Sequence, residues 1–227
     1  IGAWRQSPSG YVSYESDDRL DLEELFEYDA ETRLLGRLKV DMPLLIPNIY
    51  LVAAPVKFEE TAITDDFYEF GGIVIVPGVR FQSELDLNQY DVGLYYDIPL
   101  LETATFKLLN VEAGVNFKIY DAKASVSQQT VPGIEVSESE EETVVIPMAY
   151  LGLCVRPTDR FAFEGEFRGI TYRDSDFYSL IGRLKLYTFG PHFIAGGYRH
   201  DTGTSDEWDL EFDVDFAGAF VETGFAF

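Results

Sequence analysis

Cysteine and histidine are nearly absent from this chain: its 227 residues include one Cys and two His. A single thiol, Cys154, cannot close an internal disulfide, build a Cys-rich metal knuckle or form a redox pair, so it reads as a small residue packed in a strand. Basic residues are scarce as well, with 17 Lys and Arg against 40 Asp and Glu and a net charge of −23. This excludes nucleic acid as a partner, because that partner needs a basic footprint to displace counterions. No stretch approaches the ~18 uninterrupted apolar residues of a membrane-spanning helix. No glycine loop of phosphate-binding type is present either, since Gly71-Gly72 leads directly into the apolar run Ile73 to Val76. The chain opens without a charged segment followed by an apolar one, and is read as the mature part of a secreted protein. Its length suits one domain, because all-β folds of this size routinely stay undivided.

What the chain has in plenty is aromatic residues, 18 Phe and 14 Tyr, arranged in an alternating pattern. Over 106–120, Leu109, Val111, Ala113, Val115, Phe117 and Ile119 share one face, while Asn110, Glu112, Asn116 and Lys118 share the other. The segment before it repeats this, with Tyr90, Val92, Leu94 and Tyr96 opposing Asp91, Gly93 and Asp97. Phe161, Phe163 and Phe167 oppose Glu164, Glu166 and Arg168, and Leu180, Leu184 and Leu186 oppose Arg183 and Lys185. Period-two alternation of this kind specifies strands with one apolar side. Mean hydropathy of −0.05 is no objection, because polar lumen-facing residues dilute lipid-facing ones in a barrel.

Ten strands can be read, at about 1–14, 32–41, 48–58, 80–98, 106–120, 143–155, 160–172, 178–188, 191–201 and 207–227. The connections alternate in character. Those near Met42 to Asn48, Leu100 to Thr105, Arg156 to Asp159 and Phe189 to Pro191 are short, while the others are longer and acidic. The expected fold is therefore a transmembrane antiparallel up-and-down β-barrel of ten strands, with eight or twelve as alternatives, forming a single domain over 1–227. Long acidic outer loops are expected at about 15–31, 59–79, 128–142 and 202–206, and Leu22, Leu25 and Phe26 stand at helical spacing within the first. A soluble lipocalin-like barrel with the two faces exchanged is the competing architecture.

The chain ends Val221-Glu222-Thr223-Gly224-Phe225-Ala226-Phe227. Phe225 and Phe227 resemble the terminal signature by which outer-membrane barrels are recognised by their assembly machinery. More broadly, the chain resembles a family of small outer-membrane barrel proteins of Gram-negative bacteria. The resemblance is carried by Ile1-Gly2-Ala3-Trp4-Arg5-Gln6-Ser7-Pro8-Ser9-Gly10, by Leu85-Asp86-Leu87-Asn88-Gln89-Tyr90-Asp91-Val92-Gly93-Leu94-Tyr95-Tyr96 and by Gly197-Tyr198-Arg199. It implies an integral outer-membrane location, with membrane lipid, lipopolysaccharide and the assembly machinery as partners, and it carries no catalytic residues across.

If the apolar faces meet lipid, the opposite faces fill the lumen with Arg37, Lys39, Glu112, Lys118, Glu164, Glu166, Arg168, Arg183 and Lys185. A charge facing hydrocarbon would cost roughly 2–4 kcal/mol, so these residues are expected inside, as a structural network plugging a narrow barrel. On the last strand Asp209, Glu211, Asp213 and Asp215 alternate with apolar residues, and the apolar phase then slips near Ala217 to Ala219. A β-bulge there would reconcile the two phases. The carboxylates are candidate Ca²⁺ ligands, or a solvated rim balanced by Arg5 or Arg199. The catalytic candidate is His200, beside Asp201 and five residues from Ser205, for a lipid-active enzyme. The leading expectation is a structural or interaction barrel whose acidic loops meet an envelope protein, and the alternative is a narrow cation-preferring pore.

Overall fold

The computed structural model describes residues 1–14, 19–43, 45–70, 73–98, 105, 108–131, 134–207 and 210–227. In chain order the strands are β1 (Gly2–Tyr14), β2 (Leu20–Asp21), β3 (Glu31–Val40), β4 (Asn48–Ile63), β5 (Tyr68–Phe70), β6 (Ile73–Ile75) and β7 (Arg80–Asp97). They are followed by β8 (Leu109–Val131), β9 (Ile134–Thr158), β10 (Phe161–Tyr172), β11 (Ser175–Phe189), β12 (His192–Glu207) and β13 (Leu210–Phe225). Ten of these, all but β2, β5 and β6, form one antiparallel wall in sequence order. The pairing of β13 with β1, from Gly2↔Glu222 to Tyr14↔Leu210, closes it into a barrel and leaves no terminal edge. Among the described residues there is no helix. We call the rim carrying Gly2 and Phe225 the lower rim.

Side chains alternate inside and outside along every strand of the wall, and the polarity of both surfaces changes with height. In β8 the outward residues are Val111, Ala113, Val115, Phe117 and Ile119, then Asp121, Lys123, Ser125 and Ser127. In β7, paired to it through Tyr90↔Ile119, the outward residues are Tyr96, Leu94, Val92 and Tyr90, then Asn88, Asp86, Glu84 and Gln82. The inside reverses this order, with Asp91 and Gln89 low and Leu87, Leu85 and Phe81 high. The lower barrel is thus apolar outside and charged inside, and the upper barrel is polar outside and apolar inside. That inversion accounts for the phase slip in β13. Its register with β1 and β12 runs unbroken, so there is no bulge. Phe212, Val214 and Phe216 face an apolar interior, and Val221 and Phe225 face outward below them.

Two of the expected long loops are strand instead. Residues 128–131 and 134–142 belong to β8 and β9, which rise together above the rest of the wall, and 202–206 belong to β12. Of the four expected outer loops, those spanning 15–30 and 64–79 remain connections between wall strands, and in the second β5 and β6 pair as a separate small sheet whose Phe70, Ile73 and Ile75 are buried in the core. The described part of the first, from Arg19 on, folds back onto the barrel. β2 pairs with β1, and the Leu22 amide donates to Gly10 O at 2.9 Å. Asp21 Oδ1 then accepts from the Glu23 and Glu24 amides at 2.8 Å each, which shapes a turn rather than a helix. Leu20, Leu22, Leu25, Phe26 and Tyr28 are all buried as a result, against Phe58, Phe81, Val126 and Phe216. Phe26 meets Phe81 edge-on at 6.2 Å and Tyr28 lies 5.5 Å from Phe58. The void left here is only about 20 Å³, so the upper barrel is closed by an apolar plug.

One seam of the wall is held by side chains. β3 pairs with β1 through residues 31–35 and with β4 through residues 36–40, so above Ala53 the β4 strand has no backbone partner on that side. Gln6 Nε2 donates to Pro55 O at 2.8 Å and Arg33 Nη2 donates to Lys57 O at 2.7 Å, replacing the missing ladder. A proline is admissible at such a position because its missing N–H has no ladder to join. The opposite junction is more tightly constrained, since a Cβ on Gly218 would meet the Arg5 carbonyl. Gly218→Val is therefore expected to prevent closure of β13 on β1. The fraction of refolded protein running as the compact species on unboiled SDS gels should fall sharply, whereas Ala217→Val should leave it unchanged.

Candidate functional site

Between the plug and the lower rim, the inward side chains of nearly every wall strand converge in a layer of buried ions. All nine charged residues expected in the lumen point inward and join it. Glu166 accepts from Arg168 at 2.9 Å and meets Arg183 Nη1 at 3.0 Å, and Arg183 Nη1 also reaches Glu164 at 3.1 Å. Glu164 pairs with Lys185, Glu112 with Lys39 at 2.7 Å, and Arg37 with Glu222. Tyr50 donates to Glu166 at 2.8 Å and Tyr150 to Glu112 at 2.6 Å. The Lys39 ammonium lies 4.9 Å from the Tyr50 ring and 5.2 Å from that of Tyr95, and the Arg168 guanidinium lies 5.0 Å from Tyr50. Aromatic faces thus supply the attraction that water would otherwise give these cations.

A second cluster lies higher, beneath the plug, and much of it was missed by sequence reasoning. Asp201 accepts from Lys118 at 3.0 Å, from both Nε and Nη2 of Arg199 and from Ser179 at 2.6 Å. Arg199 also donates to Gln89 at 3.1 Å, its guanidinium stacks 4.6 Å from the Trp4 ring, and Asn116 holds Asp91 at 2.7 Å. Lys118 is 1% exposed, Arg168 0% and Asp201 2%, so the layer excludes water from the barrel axis. Strand parity was the available signal. Arg199 and Asp201 share parity with Ala195, Phe193 and the rest of the inner face of β12, which excludes Arg199 as a counterion for the acidic rim.

The same parity disperses the catalytic candidate. His200 points outward and shares a hydrogen bond with Asp215 at 2.9 Å, whereas Asp201 is inside. Ser205 is also inside, hydrogen-bonded to Ser175 at 2.9 Å. No Ser-His-Asp set forms, because its members occupy opposite faces of one strand. Of the candidate Ca²⁺ ligands, Asp209 lies outside the described residues. The others are engaged one by one. Glu211 accepts from Tyr11 at 2.7 Å and Arg19 at 2.6 Å, Asp213 from Thr204 at 3.3 Å, and Asp215 meets His200. The Tyr11 hydrogen bond and the nearby Arg19 hold the Glu211 carboxyl below its usual range. Among the described residues no three potential ligands are grouped to hold a metal ion. Arg5 is exposed on the outer wall.

Below the ion layer the lumen opens into a cavity of about 720 Å³. Arg37, Lys39, Glu112, Glu164, Glu166 and Lys185 face it from the ion layer, and its walls include Tyr95, Asp97, Asn110, Cys154, Arg156, Tyr187 and Phe193. Phe225 and Phe227 lie at the lower rim, where Phe189, His192, Phe225 and Phe227 form a run of ring contacts 4.8 to 6.3 Å apart. From top to bottom, the lumen is an apolar plug, a dry ion layer and an open vestibule.

The molecule is thus a closed ten-stranded antiparallel β-barrel with a blind vestibule at one rim. No known family and no characterised protein sequence matches the chain. Among solved structures it is similar to the Pseudomonas putida toluene transporter TodX, at 9% identity and a TM-score of 0.24, over 100% of this chain and 88% of that one.

The ion layer predicts a contrast between neighbouring residues. Asp201→Asn removes the carboxylate that Lys118 and Arg199 both contact, leaving Arg199 only the longer 3.9 Å approach to Asp91, and is expected to cost about 3–5 kcal/mol. His200→Ala, on the exposed face of the same strand, should stay within about 0.5 kcal/mol of the parent. Urea unfolding of detergent-refolded protein, followed by tyrosine and tryptophan fluorescence, measures both.

Proposed function

We propose that the protein is an integral outer-membrane barrel that does not conduct, serving as a structural or interaction element whose lumen is sealed from the outer side. The observation that carries this reading is the inversion of polarity with height. A soluble barrel buries apolar residues inside along its whole length, whereas here Val115 and Phe117 are 48% and 39% exposed while Asn116 between them is 0% exposed and Lys118, next along the strand, 1%. The apolar outer band of β8, residues 109–119, spans roughly 35 Å along the strand, or about 25 Å when tilted by ~45°, which matches the hydrocarbon band of such barrels. Placing that band in the bilayer puts the plug and the tall β8–β9 hairpin on one side and the vestibule, with its shorter turns, on the periplasmic side. Lipid and lipopolysaccharide then contact the wall. The acidic outer face of the upper barrel meets an envelope partner, and Phe225 and Phe227 stand at the lower rim as the segment the assembly machinery would read.

The seal supports the non-conducting reading over a cation-preferring pore. A permeating ion would have to cross both the plug, whose residual void is about 20 Å³, and the dry layer around Lys118, Asp201 and Arg168. Planar-bilayer recording at neutral pH is expected to be silent once insertion is confirmed by protease protection. Discrete cation-selective steps from the parent protein would establish the pore reading instead. The membrane assignment has its own check. Phe117→Arg should lose roughly 2–4 kcal/mol of folding stability in lipid vesicles, while Ser125→Arg, above the band on the same strand, should behave as the parent.

A further inference from the structure

We propose that the upper edge of β9 takes up an extended, basic polypeptide segment by strand addition. This gives a binding mode and a chemistry to the partner of the interaction reading above, and it rests on that reading for the upper barrel standing clear of the bilayer. The wall closes through β13 and β1, but its strands differ in height, and an edge survives where a tall strand stands beside a shorter one. β9 pairs with β10 only as far as Ala149↔Gly169, while its pairing with β8 continues up to Val131↔Ile134. Above Ala149 no described strand joins β9 on its β10 side.

The parity of the ladder identifies the backbone groups left over. The Arg156 amide donates to Leu108 O, on the β8 side, at 2.8 Å. From there the β8–β9 register runs unbroken from Leu109↔Val155 to Gln129↔Glu135. Even-numbered residues of β9 therefore bond to β8, and odd-numbered ones turn their N–H and C=O the other way. Below, those groups meet β10. Above Ala149, the groups of Val145, Thr143, Glu141, Ser139 and Ser137 have no strand to join, and all five residues are exposed. Pro147 has the same parity, and it is admissible because its missing N–H would have pointed to the open side. Val145 pairs with Ile119 at the top of the apolar outer band, so the polar part of the edge begins where that band ends.

An unpaired edge of this length is a template for another strand, with main-chain bonds supplying affinity and flanking side chains supplying selectivity. Between Ile134 and Met148 the sequence holds five Glu and no Lys, Arg or His. Glu138 and Glu142 share the inner parity, four residues apart, and make no ion pair among the described residues. Glu141, on the outer parity, meets Lys123 at 3.6 Å with both side chains exposed, a pairing of little worth. A second copy is a poor occupant, because β9 laid against β9 would set these carboxylates against one another. The same charge selects a strand with Lys or Arg at alternate positions. About nine residues, roughly 30 Å at ~3.3 Å each, match the exposed run from Ser137 to Val145.

The test titrates the full chain, in lipid nanodiscs and in parallel in detergent micelles, with the end-capped peptide Thr-Lys-Val-Lys-Thr-Lys-Val-Lys-Thr and with its counterpart carrying Glu for Lys. The basic peptide should bind, and the acidic one at least about tenfold more weakly. Ser139→Pro combined with Thr143→Pro removes two donors from the open edge and leaves the β8 ladder and every carboxylate in place. It should weaken the basic peptide by about tenfold or more. Glu138→Gln combined with Glu142→Gln keeps the edge, and should weaken binding at low salt and flatten its salt dependence. Gel mobility and circular dichroism establish that both variants are folded. Should the proline exchange not fold, basic peptides N-methylated at one or the other set of alternate amides replace it, and one of the two sets must abolish binding. No binding of the basic peptide, equal binding of the acidic one, or retained binding by the proline variant or by both methylated peptides would overturn the proposal; retention would mean adhesion by charge alone. Parent dimers that the proline exchange dissociates would assign the edge to a second copy and overturn it too. Binding in micelles by a chain that does not enter nanodiscs would sink the membrane reading while upholding the edge.

Discussion

Closure of β13 on β1 imposes the constraint from which the other features follow. In a closed antiparallel wall every backbone hydrogen-bonding group on the ladder is used and every side chain is committed to one of two surfaces, with neighbours in sequence on opposite sides. The chain must therefore satisfy two environments at each height simultaneously. It does so by exchanging them partway up. Below the exchange, Phe117 and Ile119 face outward while Lys118 is buried. Above it, Asp121 and Lys123 face outward while Val126 packs inside against the plug.

Charges forced inward by that commitment are cut off from bulk water, and they are stabilised by one another and by the polar and aromatic side chains around them. Glu166 therefore meets Arg168 and Arg183, and Asp201 meets Arg199, Lys118 and Ser179, with tyrosine hydroxyls and rings completing the shell. Such a layer contributes less to net stability than an apolar core of equal volume, yet removing a single member is costly because its partner is left alone. The layer fixes which wall strands face each other across the lumen, and it also forms the floor of the vestibule. The division of the lumen into a sealed upper part and an open lower part thus has one origin, the height at which inward residues change from apolar to charged.

The seam between β3 and β4 shows what happens where the ladder fails. Gln6 and Arg33 reach the carbonyls of Pro55 and Lys57, and the turn carrying Leu22, Leu25 and Phe26 is tucked inside the upper barrel rather than left in solvent. Burying those three side chains contributes hydrophobic stabilisation that an extended loop would forgo, roughly 1.5–3 kcal/mol for each large apolar group. The upper barrel, which lacks a complete ladder on one side, is held by packing where it is not held by hydrogen bonds.

Much of this was legible in the residues. Alternation over 109–119 and 161–167 specified strands, gave the strand number, and placed Arg37, Lys39, Glu112, Lys118, Glu164, Glu166, Arg168, Arg183 and Lys185 on one side of the wall, because a two-residue period is a local property. The helical spacing of Leu22, Leu25 and Phe26 marked a buried patch, although it was realised as a turn. The sequence by itself thus determined the element type, the parity and the charge balance. Only the tertiary structure decided that the phase slip in β13 was an exchange of environments and not a bulge. It also decided that Arg199 belongs inside with Asp201 and away from the acidic rim, and that His200 and Ser205 are separated. These outcomes depend on what lies across the lumen at the same height. Height is set by register between strands far apart in the chain, and no local pattern records it.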